Sequence, residues 1–274
     1  MKATLWGTRG SISSSGREMM RFGGETSSVE VIDKSGTALI LDAGSGIRAI
    51  GEMPRHDRVD ILLSHLHMDH VQGLPFFVPL LDPDKEVHIW GPISTTERLR
   101  RRLSRYLSPP LFPIYVRDLP DVTFHDVVPG EFEIGNFSIS ADLICHPGST
   151  LGYRITEGSS SLAYMPDHEP ALGVEDFPGD RLWTSGFALA EGCDVLIHDS
   201  QYTDDEYQGR LGWGHSSTTH LARFAELAAP GKLITFHHDP AHTDAMLDVQ
   251  HQMLGSSLES VELIPGTVGL TVEI

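Results

Sequence analysis

Three histidines and one aspartate, all side chains that bind transition metals, lie within six residues of one another. They are His65, His67, Asp69 and His70. The preceding residues 59–63 are mostly apolar, as expected of a buried strand. Where such a strand ends, the side chains of His65 and His67 lie on one side of the extended chain. The side chains of Asp69 and His70 reach the site from another direction, because the chain turns there. This spacing suits two adjacent metal ions better than one, and the alternative is a solvated histidine-rich loop.

Three further potential ligands each lie just after a strand-like run: His146, Asp167 and His237. Loops at strand ends often carry chemistry on a rigid scaffold. A single histidine in such a place is more often a capping or surface residue, so the prediction rests on the recurrence at separated places. Residues 237–242 read HHDPAH, and the sequence leaves the ligand there open. We take His237 because it directly follows the strand, and keep His238 and Asp239 as alternatives for outer contacts.

Imidazole and carboxylate ligands without thiolate are compatible with zinc, manganese or iron, so the metal is not fixed by the sequence. Two such ions about 3.5–4 Å apart can activate a bridging water and clamp a leaving oxygen. Cys145 precedes His146, but ordinary packing is its expected role. With Cys193 it gives no disulfide framework, which fits a reducing compartment.

The ligands need a scaffold of strands, and the apolar runs fall into two sets. The first covers residues 2–6, 28–32, 38–41, 59–63 and 87–90, and the second covers 137–144, 152–155, 161–165, 195–197, 233–236 and 268–272. Helical periodicity is clearest over 94–107, 216–227 and 243–254. Two sheets with helices outside accommodate this pattern, so we predict an α+β fold, a four-layer αβ/βα sandwich. A doubly wound sheet would need more regular alternation of strands and helices.

Composition narrows the class of protein. The 274 residues contain no linker or repeat that we can find, so we predict a single domain over residues 1–274. A net charge of −18 argues against a stable nucleic-acid partner, because phosphate contacts need Lys and Arg. Residues 1–6 enter a strand-like pattern directly, and no apolar run approaches the roughly 20 residues that span a bilayer. We therefore expect a cytoplasmic protein without a membrane partner.

One segment interrupts the acidic background. Residues 98–117 carry six arginines and no acidic residue, together with several prolines and aromatic residues. One interpretation is a solvated helix face followed by a Pro-rich loop. The other is a lid beside the metals that offers guanidinium and aromatic contacts to a phosphodiester or nucleotide. Closely spaced arginines cannot all face one ligand, and we take Arg102 and Arg105 as the candidate substrate contacts.

The motifs together resemble a known family. They are WGTRGS at 6–11, LDAG at 41–44, the 65–70 segment, the loop at His146, Asp167, and the segment from HSS at 215–217 to His237. In this order they resemble the metallo-β-lactamase-fold hydrolases, in the ribonuclease Z-like and phosphodiesterase branches. The chain is most similar to the bacterial subgroup related to cyclic-nucleotide and phosphonate-pathway cyclic phosphodiesterases. The resemblance runs from end to end and implies two divalent ions, with zinc or manganese first and iron as an alternative.

The resemblance also implies a role for each residue. One ion would be held by His65, His67 and His146, the second by Asp69, His70 and His237, and Asp167 would bridge the two. His215 would protonate the leaving oxygen, since a histidine can give a proton near neutral pH. Asp42 and Asp199 would orient histidine ligands.

The sequence thus predicts a dinuclear metal-dependent phosphodiesterase acting on a small phosphodiester or cyclic nucleotide. A metal-bridging hydroxide would attack phosphorus, and Asp69 would serve as ligand and proton acceptor. Tyr164 stands where ribonuclease Z enzymes have a glutamate, and no tRNA-gripping arm is visible, so tRNA processing is not expected. Alternatives are a thioester, lactone or lactam hydrolase, or a non-catalytic metal-binding sensor. The resemblance is compatible with a homodimer.

Overall fold

The structure is a computed structural model, and it describes residues 1–51, 57–170, 177 and 179–274. The strands are β1 Lys2–Gly7, β2 Ser28–Ile32, β3 Ala38–Leu41, β4 Arg58–Leu62, β5 Glu86–Pro92, β6 Val122–Val127, β7 Gly130–Ile134, β8 Phe137–Leu143, β9 Leu151–Glu157, β10 Ser160–Met165, β11 Val195–Asp199, β12 Lys232–Phe236, β13 Glu262–Ile264 and β14 Thr271–Glu273.

The α-helices are α1 Ile47–Gly51, α2 Met68–Val71, α3 Leu99–Leu103, α4 Phe187–Ala190, α5 Asp204–Tyr207, α6 Thr218–Ala228 and α7 Asp244–Ser256. Short 3₁₀ helices cover Arg17–Met19, Leu74–Phe76, Val78–Leu81, Val116–Asp118 and Arg181–Trp183. Within the described ranges, no helix is both long and apolar enough to cross a bilayer.

The strands form two sheets of seven. The first has the order β14-β1-β2-β3-β4-β5-β6 and the second the order β13-β12-β11-β10-β9-β8-β7. Strands β3 to β6 run parallel to one another, as do β10 to β13. The central parallel strands have both faces covered, which explains why β3, β4, β10, β11 and β12 read as largely apolar runs.

Strand β3 illustrates how the layers are built. Leu39 and Leu41 pack between the two sheets, where Tyr153 and Ile197 of the second sheet meet them. Ile40 points to the opposite face and packs beneath the outer helices. A third apolar cluster lies between the second sheet and α6. The predicted four-layer αβ/βα sandwich is confirmed.

The carboxyl ends of several strands meet at one rim of the sandwich. From the first sheet, β1 leads to residues 8–11, β3 to Asp42 and β4 to residues 64–70. From the second sheet, β8 leads to His146, β10 to Asp167 and β12 to His237. Polar side chains scattered along the sequence are therefore brought to one place by the strand directions.

Some elements differ from the sequence expectation. Strands β6, β7 and β13 were not predicted, and each lies at the edge of a sheet with several partly exposed residues. The run at 268–272 yields only β14, because Gly269 has φ +88° and turns the chain just before the strand. The helix predicted over 94–107 is regular only over α3, as Ser94 and Thr96 hydrogen-bond to each other in a loop. The helices predicted over 216–227 and 243–254 are confirmed as α6 and α7.

Candidate metal centre

The turn after β4 determines how the first four ligands point. Strand β4 ends at Leu62, and the backbone N–H of Ser64 donates to Asp42 Oδ1 at 2.7 Å. His67 then takes an extended conformation as the N-cap of α2, which starts at Met68. Because the helix begins there, Asp69 and the residues after it turn back towards the sheet while His67 remains on the outer side.

The first group of ligand atoms comes from both halves of the sandwich. His65, His67, His146 and Asp167 each offer one ligand atom, and these atoms lie within 4.8 Å of one another. His146 Nε2 lies 3.1 Å from His67 Nδ1, and Asp167 Oδ2 lies 3.7 Å from Nε2 of both His65 and His146. Three imidazole nitrogens and a carboxylate oxygen at this spacing suit one transition-metal ion.

The second group shares Asp167 with the first. Its members are Asp69, His70, Asp167 and His237, again within 4.8 Å. Asp167 Oδ1 lies 2.9 Å from His70 Nε2 and 3.3 Å from His237 Nε2, and Asp69 Oδ2 lies 3.0 Å from His237 Nε2. Asp167 Oδ2 thus faces the first group and Oδ1 faces the second, which is the arrangement that a bridging carboxylate needs.

Several of these atoms have no other use in the fold. His65 Nε2, His70 Nε2 and Asp167 Oδ1 are buried and make no well-formed hydrogen bond among the described residues, although the last two atoms lie 2.9 Å apart. Buried polar atoms are nearly always satisfied, so orphaned atoms that face one another need an explanation. Metal coordination provides one, and the donor set of imidazoles and carboxylates fits it.

The electrostatics of the two groups differ, because burial lowers the pKa of the first group's histidines, whereas in the second group Asp167 and Asp69 outweigh burial and raise the pKa of His70 well above its usual value and that of His237 to about 8. Burial lowers the pKa of His65 well below its usual value and that of His146 to about 4, which keeps these imidazoles neutral and able to coordinate. Burial opposes ionisation of Asp69 and Asp167, yet neighbouring histidines hold the pKa of both carboxyls below its usual range. Both carboxylates are therefore ionised, and cations would stabilise them where they lie.

Asp42 fixes the orientation of His70 from behind. Asp42 Oδ2 accepts a hydrogen bond from His70 Nδ1 at 2.8 Å and another from the Tyr164 hydroxyl at 2.9 Å. With Nδ1 engaged, Nε2 is the nitrogen that faces the metal groups. Asp42 was predicted as an orienting residue, and Tyr164 now adds a partner on its other side.

Other orienting contacts were missed by sequence reasoning. The Gly214 carbonyl accepts from His146 Nδ1 at 2.8 Å, and Gln201 Oε1 accepts from His237 Nδ1 at 3.0 Å. The backbone N–H of Ser11 donates to Asp69 Oδ2 at 2.7 Å. Of these three contacts, only that of Gln201 could have been suspected from the sequence, because its polar side chain lies just past β11. The other two use a backbone carbonyl and a backbone N–H, which every residue type except proline can provide.

Backbone strain is concentrated here. Among the described non-glycine residues, positive φ occurs at Ser11, Asp42, Ala229 and His237. Three of the four contact the metal groups, and each such conformation costs on the order of 1 kcal/mol or more. Strain that collects in one place is typical of a site whose geometry matters more than its stability.

His215 lies beside the second group with Asp199 behind it. Its Nδ1 donates to Asp199 Oδ2 at 2.6 Å, and its ring stacks on that of His237 with centroids 5.0 Å apart. Asp199 also accepts from the backbone N–H of Gln201 and Ser216, both at 3.0 Å. The Nε2 of His215 is thereby left free for the site. A ligand atom of Asp199 also lies within 4.8 Å of one from His215 and one from His237.

A cleft of about 400 Å³ joins the metal groups to the arginine segment. His65, His67, Arg102, Arg105 and Tyr106 are among its lining residues. Both arginines predicted as substrate contacts thus face the same cleft as two predicted ligands.

Each arginine also has protein partners. Arg102 donates to the Pro92 carbonyl and lies 3.8 Å from Asp126, while Arg105 pairs with Glu97 at 2.5 Å. These partners hold the guanidinium groups at the wall of the cleft.

The remaining candidates point elsewhere. His238 Nε2 donates to the Gly266 carbonyl at 2.8 Å, and its ring meets the edge of Phe22. Asp239 caps its own turn by accepting from the backbone N–H of Ala241. Neither belongs to any of the three groups of potential ligands found among the described residues, and the same holds for Cys145.

A family model described as the beta-lactamase superfamily domain matches residues 37–238. Ribonuclease Z of Myxococcus xanthus is 25% identical over 249 residues, which cover 74% of this chain and 78% of that protein. The metallo-beta-lactamase fold protein YhfI from Bacillus subtilis superimposes with a TM-score of 0.73 at 19% identity, covering 99% of both chains. Human tRNase Z, short form, gives 0.69 at 19% identity, covering 100% of this chain and 99% of that one. These two structural matches show the fold alone.

Proposed function

The chain belongs to the beta-lactamase superfamily, and from that premise we propose that it is a dinuclear phosphodiesterase acting on a small phosphodiester, with cyclic nucleotides as the first class to test. It is a metal-dependent hydrolase. The observation that carries the proposal is the pair of ligand groups that share Asp167. Ribonuclease Z relatives, whose name denotes cleavage of a phosphodiester chain, support the choice of bond.

Seven residues would hold the two ions in this proposal. His65, His67 and His146 would hold the first, Asp69, His70 and His237 the second, and Asp167 both. When bound, the ions would activate water and offset the charge that grows on the phosphoryl oxygens. Zinc and manganese are our first assignments and iron is compatible, since the ligands are nitrogen and oxygen atoms.

His215 would protonate the leaving oxygen. Its Nδ1–H is committed to Asp199, so Nε2 is the atom that carries the proton to the substrate. A leaving alkoxide needs such a proton, and general acid catalysis typically contributes a factor of about 10²–10⁴. Asp69 is the candidate proton acceptor, because Ser11 and His237 occupy only its Oδ2.

Arg102 and Arg105 would bind the remainder of the phosphodiester. They line the cleft that starts at His65 and His67, and Tyr106 lies beside them. Guanidinium groups recognise phosphate oxygens through paired N–H donors, and an aromatic ring offers a surface for a base. The cleft therefore fits a substrate with a phosphate at the metals and a nucleoside or other organic group beyond them.

The deciding experiment is hydrolysis of bis(p-nitrophenyl) phosphate by metal-analysed protein, with and without added manganese. Wild type is compared with Asp167→Ala and with the exposed control Asp205→Ala. We expect metal-dependent turnover that is lost in Asp167→Ala and kept in Asp205→Ala. Two bound ions without turnover would favour thioester or lactone substrates. Absence of bound metal under both conditions would overturn the proposal.

Four further expectations stay predictions. They are a cytoplasmic location, a small-molecule rather than a nucleic-acid partner, the absence of a membrane partner and a homodimer.

A further inference from the structure

Glu169 is a buried carboxylate that the reaction proposed above does not use. It follows Asp167 by two residues, and its relative exposure is 0%. Within the described part of the chain, no lysine, arginine or histidine forms an ion pair with it. Removing a carboxylate from water is costly unless donors replace the lost hydration. Its contacts should therefore account for its burial.

Two of its three hydrogen bonds come from the loop that leads to His215, and the third comes from Tyr207 of α5. Glu169 Oε1 accepts from the Tyr207 hydroxyl at 2.7 Å and from the backbone N–H of Gly212 at 2.9 Å. Glu169 Oε2 accepts from the backbone N–H of Gly214 at 2.8 Å. One carboxylate thus bridges two backbone amides on either side of Trp213.

The bridged segment has little stiffness of its own. Gly212 and Gly214 have φ +82° and +86°, a conformation that glycine adopts without penalty and other residues rarely adopt. Trp213 between them is 59% exposed and contributes little packing. The carboxylate accepts from two of the three backbone N–H groups of residues 212–214, and the third, that of Trp213, donates to the Arg210 carbonyl at 3.0 Å.

The loop in turn touches two groups of the site. The Gly214 carbonyl accepts from His146 Nδ1, and a Cβ on Gly214 would lie 2.4 Å from that nitrogen and 2.3 Å from Pro147 Cδ. His215, the proposed proton donor, is the next residue. A displaced loop would misplace both His146 and His215.

We propose that Glu169 is a positioning residue that clamps residues 212–214 and thereby sets both the His146 ligand and the His215 proton donor. The predicted effect on kcat rests on the proposed function. The predicted effects on the position of the loop and on Zn²⁺ affinity do not depend on which substrate the protein hydrolyses.

The test uses the full chain with Glu169→Gln and the matched control Tyr207→Phe. Glutamine keeps the shape but turns an NH₂ donor towards a backbone N–H, so one clamp contact becomes repulsive. Phenylalanine removes only the hydroxyl donor and leaves both loop contacts in place. Each variant is measured for kcat and KM on bis(p-nitrophenyl) phosphate, for Zn²⁺ affinity by chelator competition, and for acrylamide quenching of Trp213. The Trp213 signal is obtained by difference from Trp213→Phe.

For Glu169→Gln we expect kcat to fall about 10–100-fold with KM within about twofold, and Zn²⁺ affinity to fall about tenfold or more, as for other groups that orient ligands. Trp213 quenching should increase. Tyr207→Phe should change kcat by less than about threefold. In a His215→Ala background the further kcat loss from Glu169→Gln should be smaller, because the two residues act through one group.

The inference is overturned if Glu169→Gln keeps wild-type kcat, Zn²⁺ affinity and quenching. It is also overturned if the kcat loss is equal in both backgrounds and Zn²⁺ affinity is unchanged, since that pattern indicates a general loss of stability. If wild type hydrolyses no phosphodiester, the proposed function fails. The Zn²⁺ affinity and Trp213 quenching then still decide the role of Glu169.

Discussion

Asp42 joins both halves of the molecule at a single carboxylate. It receives His70 and Ser64 from the first half and Tyr164 from the second, and it is fully buried. Its positive φ of 58° is one that asparagine also tolerates. Asp42→Asn therefore removes the charge and one acceptor while leaving the backbone as it is.

We expect Asp42→Asn to lower Zn²⁺ affinity about 10–100-fold, because the His70 imidazole loses the acceptor that fixes its tautomer. Chelator competition at constant pH measures the effect. Thr219→Ala, which removes an exposed contact to Asp204, serves as the control and should bind Zn²⁺ like wild type. Equal affinities for Asp42→Asn and wild type would show that His70 does not depend on this contact.

Arg102 allows a direct test of the arginine cleft. Replacing Arg102 with Gln should raise KM for a phosphodiester about tenfold, since a charge-assisted hydrogen bond contributes about 1.5–3 kcal/mol. Arg101→Gln is the matched control, because Arg101 pairs with Glu97 and its side chain is 79% exposed. Steady-state kinetics on the same substrate separate the two. An unchanged KM in the Arg102 variant would remove this residue from the substrate contacts.

The ligands and their supports differ in how far the sequence reveals them. His65, His67, Asp69 and His70 form a local motif, so their residue types and spacing were informative before any fold was known. Gln201, the Gly214 carbonyl and Glu169 act through contacts across tens of residues. Such contacts exist only once β10, β11 and β12 lie side by side, and a single sequence does not encode them in any local pattern.

At the level of elements, burial decided which strands could be predicted. The central strands β3, β4, β10, β11 and β12 are buried on both faces over most of their length and were recognised from their apolar runs. The start of α3 is set instead by a distant residue, because Asp126 of β6 accepts from the backbone N–H of Leu99 at 2.8 Å. Periodicity over 94–107 could not reveal that boundary.

One polar contact ties the turns of the two sheets together. Asp33, in the turn after β2, accepts from Asn136, which lies in the turn between β7 and β8, and from Ser35 and the Thr37 backbone N–H. Burial alone would raise the pKa of Asp33, but these hydrogen bonds lower it below the ordinary value of 3.8. The folded pKa thus lies below the unfolded one.

The sign of the pH dependence follows from this difference. The stabilisation from Asp33 is present above the unfolded pKa and is lost as the pH falls through the folded pKa. Asp33→Ala should therefore lower the free energy of unfolding by about 1–3 kcal/mol at pH 6, and the gap to wild type should narrow below about pH 4. Urea unfolding at a series of pH values measures the gap. The exposed control Asp121→Ala should show little change, and a gap that widens in acid would contradict the assignment.

For the whole molecule, the proposed ligands come from both halves and would place the ions between them. Residues 65–70 come from the first sheet, and His146, Asp167 and His237 come from the second. We propose that residues 1–274 unfold as one unit for this reason. A bound ion should raise the free energy of unfolding by about 2.7 kcal/mol when the free ion concentration is 100 times the dissociation constant of its site.

A chelator should therefore lower the thermal midpoint, and added Zn²⁺ should restore it in one cooperative transition seen by calorimetry. Asp167→Ala is the informative comparison, because its midpoint should respond much less to either treatment. Two separate transitions, or equal midpoints with and without chelator, would mean that the ions do not join the halves.

The distribution of the ligands along the chain also bears on how the protein is made. The ligands extend from His65 to His237, so ribosomal synthesis releases the first four long before the last one emerges. A nascent chain that exposes only His65, His67, Asp69 and His70 lacks Asp167, the residue that both ligand groups share. In the proposed centre, both ions could therefore be bound only after most of the polypeptide has left the ribosome, so metal insertion would be a late event in biogenesis.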